Sequence, residues 1–278
     1  MGRIRKTWEL AKDSWAILKG DKELVALPVM SAVAMLVVAA VFGGLVFLVG
    51  DGLSGNSSED FDPGPFGYLL IAIAYFAVAF VGVFFNAALV AGAYQRLTGG
   101  NPTLGSALGG AFARVHRLLG WALIAATVGL ILQAIEDRLG PLISNLVGAA
   151  WRVVTFLVIP VLVVEDLGAI KGLKRGAGLF KRTWGENVAA YVGFGLLGFV
   201  AALPGVIVAA LLVVTGVDAL VIVGVAVGVI WLLAAAAVVA ALSGIFQAAL
   251  YAYAVDGEVP TGFSQEALAG SFGPRRGQ

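Results

Sequence analysis

"GAAWRVVTFLVIPVLVVED", residues 148–166, reads as lipid-soluble except for one arginine. Crossing a hydrocarbon core of ~30 Å takes about 20 mostly apolar residues, and this run belongs to a segment of that length. Arg152 stands well inside it. A guanidinium at mid-membrane costs about 2.5–3.5 kcal/mol on insertion scales, so it should face protein or water rather than lipid. If the run spans a membrane, the chain is a membrane protein and Arg152 is its first functional question.

The rest of the chain supports a membrane setting. Of its 278 residues, 60% are hydrophobic and 13% charged, with a mean hydropathy of +0.97, values that contradict a water-solvated surface. Six runs are long enough to span: 24–50, 67–97, 119–136, 142–165, 187–214 and 219–254. The second and sixth are overlong and should tilt or project beyond the membrane; Ser243-Gly244 is a candidate break in the sixth. Cysteine is absent, which excludes disulfide and thiol chemistry. The basic N-terminus lacks the short charged region and small-residue cleavage site of a signal peptide, so it is expected to be retained. Lys6 stands where a myristoylation signal needs Ser or Thr.

Orientation follows from Lys and Arg. Sixteen of the 18 fall before the first run, from the inner end of the second (Arg96) to the third, between the fourth and fifth, or after the last; Arg138 and Arg152 are the exceptions. Both termini are therefore expected on the cytoplasmic side of a cell membrane. The longest opposite loop, "DGLSGNSSEDFDPGPFG" from Asp51, has four acids and no base.

Each basic segment also carries a helical apolar stripe, giving interfacial helices at 1–22, 103–118 and 168–184 and a C-terminal tail at 262–278. Ile170, Leu173, Ala177, Phe180 and Trp184 form the clearest stripe, opposite Lys171, Lys174, Arg175, Lys181 and Arg182, which are expected to meet anionic headgroups. The competing reading makes these helices linkers packed on the bundle. Internal repetition adds a modular element: "FNAAL" from Phe85 returns as "FQAAL" from Phe246, and "TGGNPT" from Thr98 as "DGEVPT" from Asp256. The expected architecture is an all-α polytopic bundle of six transmembrane helices built from three units, each an interfacial helix followed by a hairpin.

Three stretches, "MGRIRKTWELAKDSWAILKGDKEL", "RLTGGNPTLGSALGGAF" and "WRVVTFLVIPVLVVEDLGAIKGLKRGAGLFKRTWGE", resemble a family of uncharacterised prokaryotic six-span membrane proteins. That family is more distantly similar to the membrane domain attached to some bacterial glycerophosphodiesterases. The resemblance implies a fold and a prokaryotic inner or plasma membrane location; it supplies no catalytic residue. In such a protein the sequon at Asn56-Ser57-Ser58 is fortuitous.

Few residues offer chemistry. "GFGLLG" at Gly193–Gly198 matches a dinucleotide-binding glycine pattern, but no strand precedes it, and glycines inside an apolar run let helices approach. The single histidine, His116, cannot build a metal site or a catalytic triad. Glu136-Asp137 and Glu165-Asp166 mark the ends of runs. No catalytic residue, no metal, no cofactor and no nucleic-acid partner is expected. Asn86 and Gln247 occupy matching places in the two FxAAL copies and suit hydrogen bonds between helices, with ligand contact as the alternative. Asn145, Gly148, Arg152 and Thr155 share one helical face. Set against Ala122, Ala126, Gly129, Gln133 and Glu136 of the preceding run, that face would let Arg152 reach Gln133, with Glu136 beyond. Two function classes follow. One is a non-enzymatic scaffold or accessory subunit that binds anionic lipid or a partner protein. The alternative is a transporter or channel for a small anionic or polar solute at the Arg152 region.

Overall fold

Over their described residues, all six apolar runs form helices. The computed structural model describes residues 12–21, 23–49, 63–184, 189–257 and 259–263, with the side chains of 182–184 and 189–197 left aside. Residues 12–20 form α1. There follow α2 (Glu23–Val49), α3 (Gly64–Leu97), α4 (Leu104–Phe112), α5 (Val115–Leu139), α6 (Pro141–Thr155), α7 (Val158–Val164), α8 (Ala169–Trp184), α9 (Ala189–Val214) and α10 (Asp218–Asp256). No strand occurs among the described residues. Five segments are long and apolar enough to cross a membrane: α2, α3, α5, α6 with α7, and α10. The remaining predicted span is α9; its fully described part, Gly198–Val214, is apolar but shorter than that measure requires. The sequon at 56–58, residues 1–11 of the predicted first interfacial helix and residues 264–278 of the tail lie outside the described residues.

Two elements differ from the sequence reading. The helix expected over 103–118 ends at Phe112, and α5 starts at Val115, so His116 and Arg117 belong to its first turn. The fourth run is two helices rather than one, interrupted at Phe156-Leu157. Pro160 supplies the reason. It has no N–H to give the carbonyl four residues back, which is that of Phe156, and its ring crowds the same oxygen. Gln247 of α10 fills the gap, its Nε2 donating to the Phe156 carbonyl.

By contrast, α10 runs unbroken through Ser243-Gly244 for 39 residues, roughly 58 Å at 1.5 Å per residue. Gly244 serves close approach instead. A Cβ there would stand 2.4 Å from Leu89 Cδ2, so the absent side chain is what lets α10 lie on α3. The last residue of the first FxAAL segment, Leu89, therefore packs on α10 just ahead of the second.

The core sits at one end of the bundle. Apart from Gly67 in α3 and Gly224 and Gly228 in α10, buried residues of α3 run from Phe84 to Leu97 and those of α10 from Ala237 to Ala252. They join Leu157–Val163 of α7, Leu24 and Leu27 of α2, Leu118 and Trp121 of α5, Leu179 of α8 and Phe263. The other halves of the long helices are exposed and apolar, as at Leu36, Leu69, Leu146, Leu211 and Ile230. The overlong helices thus spend their extra length on a packed floor.

Helices α3, α7 and α10 enter that floor and stop in a similar way. Each is followed within two residues by a left-handed backbone position: Gly99 (φ +87°), Asp166 (φ +58°) and Gly257 (φ +75°). Glycine adopts that region freely, whereas an aspartate does so at some steric cost, eased by its short polar side chain.

Candidate functional site

Polar residues gather where the long helices enter the floor. The Glu165 carboxylate, at the end of α7, accepts from Arg175 Nε of α8 at 2.9 and 3.1 Å, and from the Tyr251 hydroxyl of α10 at 3.1 Å. Tyr251 in turn sets its ring edge-on to Tyr94 of α3, with centroids 6.0 Å apart. One carboxylate thus ties α7, α8 and α10 together beside α3. Asp166 pairs with Arg117 of α5. That guanidinium holds the Asp166 carboxyl below the usual carboxylate range. The pair's contribution is therefore full at neutral pH and disappears only as pH falls through the lowered value. On the first hairpin, Arg96 meets the buried Asp21 at 2.8 Å. Glu23 accepts from the Leu104 amide at 2.7 Å, placing a negative charge at the N-terminus of α4, where the helix dipole favours it. Each of these four acids thus faces a base or a backbone or hydroxyl donor from another element.

Helix α8 presents two distinct faces. Gly172 and Gly176 are buried against α7, and Leu179 is buried on the same side. At Gly176 a Cβ would come within 3.1–3.2 Å of the Leu157-Val158 backbone, so glycine is what lets the two helices touch. Lys171, Lys174 and Lys181 are exposed, beside an Ile170 that is 65% exposed. Arg175 is engaged by Glu165, and the Arg182 side chain lies outside the described ones. A comparable pairing of apolar and basic groups recurs on α1, where Lys19 stands over the exposed Trp15 ring at 5.8 Å.

The group expected around Arg152 does not assemble. Ser144 and Gly148 are the residues of α6 buried against α5; Ser144 Oγ donates to the Leu132 carbonyl at 3.0 Å, and Leu132 Cδ1 fits over Gly148. Trp151 stacks on Trp121 with centroids 6.0 Å apart. That interface is offset by one residue from the predicted stripe, which turns Asn145 and Arg152 outward, where both are exposed. The small stripe of α5 faces α3 instead: the Tyr75 hydroxyl donates to the Ala126 carbonyl at 3.4 Å and sits over Gly129. Gln133 and Glu136 are exposed, and among the described residues neither is joined to Arg152 by a hydrogen bond or ion pair.

The two amides also part company. Gln247 is buried on the Phe156 carbonyl, whereas Asn86 is half-buried with no side-chain hydrogen bond among the described residues. His116 is exposed on the first turn of α5, and the described residues contain no group of three or more potential metal ligands. Reading the sequence missed the roles of Glu165, Tyr251 and Pro160. The signal for Pro160 was present, since a proline late in an apolar run frees the carbonyl four residues earlier.

No curated protein and no solved structure matches the chain, and nothing ties it to the glycerophosphodiesterase-associated membrane domain. Residues 66–263, well over half of the chain, match a family of unknown function, DUF6159, and the protein belongs to that family.

Proposed function

We propose that the protein is a non-enzymatic scaffold of a prokaryotic cell membrane, with six spans in three helix-plus-hairpin units and both termini cytoplasmic. Its basic interfacial helices hold anionic lipid at the inner leaflet. The observation that carries this reading is α8, fixed to α7 through glycines while Lys171, Lys174 and Lys181 stay exposed next to Ile170. A rigidly mounted cationic face beside an apolar anchor suits an anionic headgroup layer, where each lysine near the surface contributes about 1 kcal/mol. The repeat is supported by the shared left-handed stops after α3, α7 and α10.

The test is lipid retention by the full chain in nanodiscs of mixed neutral and anionic lipid. Changing Lys171, Lys174 and Lys181 together to Gln should lower the co-purified anionic lipid several-fold and remove its salt sensitivity. Retention equal to wild type would rule out this role for α8. The competing transport reading draws on the exposed Arg152 and the broken fourth span, and predicts solute-dependent thermal protection that Arg152→Met abolishes.

A further inference from the structure

Helix α6 carries, beside its buried face, a strip in which Asn145 and Arg152 are exposed and Ala149 between them is half-buried. Asn145, Ala149 and Arg152 follow one another at spacings of four and three, which puts them on one side of the helix. Asn145 and Arg152 are exposed, and Leu142 and Leu146 beside them are 74% and 65% exposed. The Arg152 guanidinium makes no hydrogen bond or ion pair among the described residues.

This cation cannot escape along its own helix. Side chains of a helix lean toward its N-terminus, which for α6 is Pro141, eleven residues and ~16 Å of rise away. An arginine is too short for that distance. Nor can the chain neutralise the charge itself, because no Asp or Glu occurs inside any of its six apolar runs; they stand only at the ends, as at Glu136 and Glu165. A second copy in the same orientation would bring Arg152 to the depth of Arg152, with its nearest acids a turn or more farther out. The compensating anion therefore has to come from a different molecule, at mid-membrane depth.

We propose that this face of α6 docks a transmembrane helix of a partner protein that carries an acidic side chain at mid-membrane. A carboxylate there accepts two parallel N–H bonds from the guanidinium. Ala149 keeps the surface between the two polar groups low enough for backbone approach, and Asn145 adds an amide toward the outer side. The proposal does not depend on α8. Lipid retention by the lysines and helix docking on α6 stand or fall separately.

The probe is a pair of host peptides, single Leu/Ala transmembrane helices that differ only in Glu or Leu at the midpoint. They are titrated against the fluorescently labelled full chain in bilayer vesicles. The Glu peptide should bind wild type about tenfold more tightly than the Leu peptide, and Arg152→Met should bring the ratio below about twofold. Arg152 has no partner among the described residues to lose, so that variant keeps its fold; unchanged binding of the Leu peptide verifies it. Equal affinity of the two peptides for wild type overturns the proposal, as does a Glu preference that survives Arg152→Met. The chain is free of cysteine, so Ala149→Cys gives a second reading in the absence of peptide. The thiol should resist a membrane-impermeant maleimide, and rapid labelling would make the face water-lined and likewise overturn helix docking.

Discussion

At Phe156, a missing donor and a supplied one meet on the same atom. Pro160 withdraws the amide that would have served the Phe156 carbonyl, and Gln247 provides one from α10. Removing the amide alone, as in Gln247→Leu, takes this donor from a buried carbonyl at a cost of about 1–3 kcal/mol. Pro160→Ala returns a local N–H to that oxygen. The double variant should then be less destabilised than the sum of its parts, with a coupling of at least about 0.5 kcal/mol in denaturation of the detergent-solubilised protein. Additive losses would mean that the two residues serve different atoms. Gln247 could be singled out in the sequence as a polar residue in an apolar run, but its target was hidden, because the carbonyl becomes available only when the proline on another helix is placed opposite. Asn86 shows the limit of the same reasoning, since a matching position in the repeat does not guarantee a matching partner.

Between elements, glycines decide which helices touch. Helix α8 holds two that look alike in sequence, Gly176 and Gly178, and only the structure separates them. Gly176 abuts the α7 backbone, whereas a Cβ on Gly178 would meet nothing within 4 Å. Gly178→Ala should raise thermal stability, because replacing a glycine in a helix interior by alanine is worth roughly 0.5–1 kcal/mol. Gly176→Val should lower it, since overpacking costs about 1–3 kcal/mol and the opposing main chain cannot rotate aside as a side chain would. If both substitutions shift the melting temperature in the same direction, α8 is not seated on α7 through Gly176. The same physics explains the misread stripe on α6. Polar residues draw attention in an apolar run, yet Ser144, Gly148 and Trp151 make the contact with α5, because small size and ring stacking bring helices together more effectively than a lone charge. The existence and approximate limits of the helices could be read from hydropathy. Which face met which neighbour could not, since nearly every side of these helices is apolar and a hydrophobic period has little contrast to reveal.

For the molecule as a whole, the packed floor and the exposed apolar halves lie at opposite ends of the bundle, which is what the proposed orientation builds on. The described basic segments are linked at the floor by Arg96–Asp21, Arg117–Asp166 and Arg175–Glu165. These pairs hold the connections after α3 and α7 to one end of the bundle, the end that carries most of the described Lys and Arg. A membrane that retains such charge on its cytoplasmic face then puts α1, α4 and α8 inside. In the six-span topology proposed above, the acidic segment from Asp51 belongs outside and the C-terminus returns to the cytoplasm. Cysteine scanning tests this cleanly on a chain without native cysteines. In intact cells a membrane-impermeant maleimide should label Ser57→Cys and leave Gly178→Cys untouched. After permeabilisation Gly178→Cys should react, because that position is exposed and has no close neighbour. Protection of Ser57→Cys together with external labelling of Gly178→Cys would invert the topology. An inverted bundle would turn the α8 lysines away from the anionic inner leaflet, so that result would also remove the lipid-binding role proposed for them.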